Sequence, residues 1–444
     1  MELGLHRSPR FIPEVDVFEA EMRRRLWATV AELLVQTSID AGTAPMLSSD
    51  DFDCEPPSNI DDHQLHEGSV ALPTPKPMNH FTETTTQILL QRSLPVRLEI
   101  ARYLNHFRSD GSYSTALRLH AELSHVLGSH ARLLDLASHP TASFIFHKKL
   151  FTLLTHRFFI ALHQLFALRA PKDATFCISR TVCFSSSVLL LSLAQPSSPA
   201  PDLPIDTNAA TASAFVSSQS SSSSRSARAP SSTDQWSDDF ARLMCRGSGM
   251  FGEATLRAAI AVGFEVVVQH RQRNRQHVAT YNRPETQASG LGDTEAEAED
   301  KGRQAVEEFV SLSMERIRIV GDLFKSNLLF VVILAMVNSS EGEEEARVKF
   351  AMRENLRFWL EVLKERVEEF SEGVVRGGLG SQTSVAAGNV WTGETEVVQD
   401  DQGGNGMPAE GAGDFQWFGM DSDIGFNFDF TNAAQVMQSF DGLY

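Results

Sequence analysis

Three places in this 444-residue chain carry residue types at spacings that chemistry could use. The run Gly247-Ser248-Gly249-Met250-Phe251-Gly252 fits the glycine pattern of a dinucleotide loop. Such a loop works only where a strand delivers the glycines to a helix start, so that a pyrophosphate can approach backbone amides. The preceding Asp238 to Met244 reads as helix, so these glycines are expected to mark a helix break. Asp50, Asp51 and Asp53, with Asp61, Asp62 and His63, offer carboxylates and an imidazole to a metal. Their spacing lacks the glycine and the terminal glutamate of a calcium loop, and the aspartates are read instead as shaping turns by accepting nearby amide hydrogens. Cys54, Cys177, Cys183 and Cys245 include no pair spaced like zinc-finger ligands and are expected to be small buried hydrophobes. No Gly-x-Ser-x-Gly elbow, P-loop or His-Glu-x-x-His helix occurs, so no catalytic, cofactor-binding or metal residue is assigned and the chain is read as not an enzyme.

Charge narrows the function classes further. A net charge of -18 works against direct binding to a polyanion, whose affinity rests on Lys and Arg releasing counterions. Arg23-Arg24-Arg25 is the most basic run near the start, but adjacent helical residues point about 100° apart, and Glu19 and Glu21 stand at pairing distance. An ion-pair role is expected. Arg271 to Arg275 is placed at a helix end, where positive charge suits the dipole. Met1 to Arg10 has no signal-peptide core, and the apolar run Leu328 to Val337 is too short for a bilayer, so a soluble protein is expected.

The elements that would position these residues are helices. Asp16 can cap a helix that begins at Val17, with Glu19 reaching back to the cap's amide. Phe18, Met22, Leu26, Val30 and Leu33 form an apolar stripe predicted to face the core, and Gly42 with Pro45 ends the helix. Met46 to Asp62 follows as a long loop. Helical patterns cover about 82–107, with Pro95 expected to bend or restart the helix, then 114–136, 141–168 and 175–194. The Ser- and Pro-rich segment 195–233 cannot bury enough apolar area to offset chain entropy and is read as disordered. Helix is expected again over 238–270, then a polar stretch 272–302, one long apolar helix 305–337, a break at Ser339-Ser340-Glu341-Gly342, and a last helix 343–370. That last helix carries Val348, Met352, Leu356, Trp359 and Leu363 on its apolar face.

From Gly373 the chain is Gly-rich and acidic, and Arg376 is its last basic residue. Phe415, Trp417, Phe418, Phe426, Phe428 and Phe430 are interleaved there with Asp414, Asp421, Asp423 and Asp429. Carboxylate repulsion keeps such rings from collapsing together and leaves them available to a partner's apolar groove.

Phe18, Glu19, Arg23, Arg24, Arg25, Leu26 and Trp27, followed by an Asp-rich loop through Asp53 to Asn59, Asp61 and Asp62, closely resemble the middle homology region of fungal zinc-cluster (Zn2Cys6) transcription factors. This is the fungal-specific regulatory domain of the xylanolytic-activator type. Two positions depart from the family pattern: Thr43-Ala44 where Arg-Pro is usual, and Leu34 where Asp is common. A second likeness lies at Ala161-Leu162-His163 with Phe166-Ala167, then Ser179-Arg180.

The resemblance implies an all-α, irregular helical bundle with a disordered insertion and a disordered acidic tail. The expected organisation is a regulatory-domain portion over 1–194, a linker over 195–233, its helical continuation over 234–371 and an activation tail over 372–444. It implies regulation of RNA polymerase II transcription in the nucleus, with coactivator or mediator-type proteins as partners and room for a homo- or heterodimer and a small-molecule inducer. DNA contact and zinc are expected only in a cluster missing from this chain, whose family position lies further toward the N-terminus. The alternative is a helical interaction protein that does not bind DNA and that pairs with, or inhibits, full-length relatives.

Overall fold

The computed structural model describes residues 3–105, 111–135, 141–194, 239–280, 292–339 and 342–377. Ten α-helices and no strand occur among the described residues. They are α1 (Val17–Asp40), α2 (Thr85–Asn105), α3 (Tyr113–Asp135), α4 (Ala142–Ala167), α5 (Cys177–Leu193), α6 (Asp239–Arg246), α7 (Met250–Thr280), α8 (Gly292–Ile319), α9 (Phe324–Val337) and α10 (Glu344–Gly377). The chain divides into one compact unit that includes Met1–Asn355 and a second over Leu356–Gly425. The segment 195–233 and the tail 378–444 lie outside the described residues, and so do the readings of disorder made for them.

In the first unit, α1 packs on α2, α2 on α3 and α4, and α4 lies along α5; α5 meets α7, which packs on α8, and α8 on α9. Trp27, Val35, Leu94, Leu98, Leu119, Phe158 and Leu162 are among the residues of one continuous core. Phe240, Val262, Val266, Phe309, Phe330 and Ile333 are buried where α6 to α9 come together. α4, and α5 together with the turn that precedes it from Ala174, are long and apolar enough to cross a membrane by length and composition. Here α4 directs Phe151, Phe158 and Leu162 into the core and holds the buried Arg157 against Asp40 and Gln36. The apolar run at 328–337 forms most of α9, with Leu328, Phe330, Ile333 and Met336 buried.

α1 starts where its cap predicts: the Asp16 carboxylate accepts from the Glu19 amide at 2.7 Å. The reciprocal bond from Glu19 is absent, and its carboxylate lies 3.9 Å from Arg23. The apolar stripe falls on the wrong side of this helix. Leu26, Val30 and Leu33 are exposed, while Trp27, Ala28, Ala31, Val35 and Ile39 face inward. Alanines let α2 approach closely, and the polar residues of the buried face have long-range partners: Gln36 donates to the Leu154 carbonyl at 2.9 Å. Glu32 next to it takes a two-pronged bond from Arg97, 2.7 Å for each nitrogen.

Later elements also differ from expectation. α2 runs through Pro95 as one helix, so the proline does not restart it. α7 continues ten residues past His270, so Arg271 to Arg275 lie within it, and Arg273 pairs with Glu299 of α8. The polar stretch 272–302 is therefore helical at both ends. The expected single helix 305–337 is broken between α8 and α9, where Gly321 and Leu323 take left-handed φ of 84° and 62°. Asp322 in this turn binds the buried Arg316 guanidinium, an ion pair that only a reversal of the chain allows. On α10, Val348 and Met352 are buried, but Leu356 and Leu363 are exposed.

Candidate functional site

The family-like residues come together as a clamp that binds the loop 41–84 to α1. Its centre is Glu21, whose side chain has no solvent exposure. Glu21 accepts from Arg24 Nε at 3.1 Å, Arg25 Nε at 3.5 Å and the backbone amide of Ser58 at 2.9 Å. Arg25 reaches on to Asp62 at 2.6 Å, so one carboxylate on a helix and one in the loop share a guanidinium. Arg23 donates to the Leu3 carbonyl at 2.9 Å. The three arginines thus form ion pairs, as their spacing predicts, and also fasten distant chain at Leu3 and Asp62. With their side chains 14–19% exposed, they form no open basic patch.

Asn59 fastens the far side of the loop. Its amide nitrogen donates to the carbonyls of Lys76, Pro77 and His80, each at 3.1 Å, and its oxygen accepts from Thr82 at 2.7 Å and Thr85 at 3.0 Å. Asp61 pairs with Lys76. Asp53 accepts from the Ser8 amide at 2.6 Å and lies 3.3 Å from Arg7. Trp27 is buried against Phe52, with ring centroids 5.4 Å apart. Phe18 is half-buried, and Leu26 is exposed and outside the clamp. Asp51, Asp53, Asp61 and Asp62 are occupied by amides or cations, and no group of three or more potential metal ligands gathers among the described residues. Thr43, which replaces the family's Arg, ends α1 by donating its amide to Ser38 O at 3.1 Å, and its carbonyl accepts from Asn105. Leu34, where Asp is common, packs on the core.

The second likeness also closes in space. His163 Nδ1 and the Ser179 hydroxyl are 2.8 Å apart, His163 Nε2 lies 3.0 Å from His120 Nδ1, and Ser179 donates to the Tyr113 hydroxyl at 3.2 Å. Burial, with the neighbouring His120, pushes the His163 imidazole down to about 4. A Ser–His contact of this length could serve a nucleophile and its base, but His163 and Ser179 have no exposed surface for a substrate to reach. The relay works as an internal polar tie among α3, α4 and α5. Arg180, next in sequence, binds Glu265 of α7 with two bonds of 2.7 Å beside a recess lined in part by Gln164, Cys183 and Phe264.

The glycine run spans the connection between α6 and α7 and the first residues of α7, with Gly249 at φ 61°. It cradles a guanidinium: Arg316 donates to Gly247 O at 2.6 Å and Met244 O at 2.8 Å. A Cβ on Gly247 would stand 2.7 Å from Leu243 O, and one on Gly252 3.3 Å from Arg316. Desolvation pushes the buried thiols of Cys54, Cys183 and Cys245 up to about 11, 12 and 12, far from a reactive thiolate. Cys177, against expectation, is exposed. Sequence reasoning did not find Arg97, Arg157 and Arg316: Glu32 and Asp40 lie 65 and 117 residues from the first two, and Arg316 joins Asp322 across a turn and Met244 at 72 residues. The residues Phe415 to Phe430 of the tail lie outside the described residues.

No family model and no solved structure matches the chain. It is 33% identical over 347 residues to transcription factor lepE of Aspergillus flavus, covering 77% of this chain and 36% of that protein. It is 29% identical over 394 residues to transcription factor asR3 of Sarocladium schorii, covering 83% and 41%. It is 41% identical over 202 residues to transcription factor opdR of Penicillium oxalicum, covering 44% and 26%. The chain therefore spans between about a quarter and two-fifths of the length of these curated relatives. Sequence likeness running over most of the chain makes it a homologue of fungal transcription factors, proteins of the Zn(2)-C6 type among them.

Proposed function

We propose that this chain is the helical regulatory part and the activation tail of a fungal zinc-cluster transcription factor that acts on RNA polymerase II transcription in the nucleus. The observation that carries the reading is the 33% identity over 347 residues with lepE, which extends far beyond the clamp motif. The relatives' remaining length is assigned the DNA contact and its zinc. A net charge of -18 supports that division, since the chain itself repels a polyanion. The helical body serves as a platform fixed by buried polar ties. The acidic tail engages coactivator or mediator-type proteins through Phe415, Trp417, Phe418, Phe426, Phe428 and Phe430, as acid-aromatic segments do when rings enter an apolar groove. No substrate chemistry is assigned to any residue.

The test of the tail is a fusion of residues 373–444 to an unrelated DNA-binding domain in front of a reporter. The fusion should activate, and Trp417→Ala, Phe418→Ala and Phe428→Ala together should abolish activation. A wild-type fusion that is expressed and silent contradicts the activation claim.

A further inference from the structure

Leu356, Leu360, Leu363 and Val367 on α10 are 44%, 57%, 48% and 67% exposed. They alternate by four and three residues, and the sequence continues this spacing at Phe370 and Val374. Such spacing lines one side of a helix with the a and d positions of a heptad, the seam that a second helix fills with interlocking side chains. The flanking e and g positions carry Arg357, Trp359, Lys364 and Arg366, while Glu361, Glu365 and Glu368 occupy outer positions. In a pair of identical helices, parallel or antiparallel, flank meets flank and these like charges oppose each other. The flanks therefore disfavour a second copy and match a partner of opposite charge.

We infer that this face of α10 docks an amphipathic helix of another protein, one whose apolar a and d positions are flanked by Asp or Glu. The seam supplies the buried apolar contact, and the basic flanks select the partner and set its register. Nothing in the proposed transcriptional role specifies this surface.

The test uses the full chain and two labelled synthetic peptides of three heptads. Both carry Leu at every a and d position; one has Glu at every e and g position and the other has Lys. Fluorescence anisotropy should show the acidic probe binding about tenfold more tightly than the basic one, as expected for several flanking ion pairs. Bulk charge works the other way: a chain of net charge -18 attracts the basic probe, so preference for the acidic one can come only from the local flank. Arg357→Glu with Lys364→Glu and Arg366→Glu should reverse the order. Leu360→Glu with Leu363→Glu should abolish binding of both probes with helix content and melting temperature unchanged, because both positions are exposed. Equal affinities, tighter binding of the basic probe, or no binding of either overturns the proposal, whether or not the chain's own acidic tail covers the seam. A wild-type dimer in sedimentation velocity that Leu360→Glu dissolves also overturns it, in favour of a second copy.

Discussion

Replacing Asn59 by Ala removes a single side chain that holds two ends of the clamp loop. Its amide serves three carbonyls and its oxygen serves two hydroxyls, in a residue only 4% exposed. Not every partner is orphaned. The Pro77 carbonyl keeps the His80 amide at 2.8 Å, and Thr82 and Thr85 remain 3.3 Å apart. That leaves the carbonyls of Lys76 and His80 and the shared acceptor of two hydroxyls uncompensated, about 3–4 kcal/mol in all at about 1 kcal/mol or more for each lost buried bond. In a unit of this size the loss lowers the melting temperature by about 5–7 °C. Thermal unfolding followed by circular dichroism at 222 nm measures it. Asn59→Asp keeps the oxygen but places a carboxylate against carbonyls, and it should be no more stable than the alanine variant. A shift below about 2 °C for Asn59→Ala would refute the claim that these residues fasten the loop.

Stability should fall with acidity. Burial holds His163, His130 and His156 at about 4, with His120 adding to it for the first and Arg92 and Arg97 for the second, whereas free histidine titrates near 6.5. Between these values the unfolded chain binds more protons than the folded one, so this contribution is complete above about pH 6.5 and is lost as pH falls toward 4, at up to about 1.4 kcal/mol per pH unit for each histidine. Urea midpoints measured across that window should drop, and His163→Gln should flatten the slope. Arg316→Met leaves Asp322 and the carbonyls of Met244 and Gly247 without their donor and should cost about 3–5 kcal/mol, read from the same urea curves. Gly249→Ala places a Cβ on a left-handed residue with open space around it, and should cost only the backbone penalty of about 1–2 kcal/mol.

The helical class and the ends of α1 to α5 were legible because capping residues, turn residues and apolar periodicity are local signals. The role of Arg23 to Arg25 was legible for the same reason, since Glu19 and Glu21 lie within one helical turn. What stayed hidden depends on distant partners. The buried face of α1 combines alanines with Glu21, Gln36 and Ser38, polar residues that become core residues only once Ser58, Leu154 and Thr43 arrive. The break between α8 and α9 follows from the Arg316–Asp322 pair, and no apolar pattern announces it. At the candidate site the family-like residues were identified by their order, while the geometry turns them from a list into a clamp. His163 and Ser179 stand out only by their likeness to the family, and nothing in the sequence joins them into a relay, because its other members, His120 and Tyr113, come from α3.

The most direct test of the central claim tethers the full 444-residue chain to an unrelated DNA-binding domain and measures a reporter in fungal cells, with promoter occupancy checked by chromatin immunoprecipitation. The account predicts transcription several-fold above the DNA-binding domain alone, lost when Trp417, Phe418 and Phe428 are replaced by Ala and retained when the exposed Leu26 is replaced by Ala. A chain that occupies the promoter and leaves the reporter unchanged would contradict it.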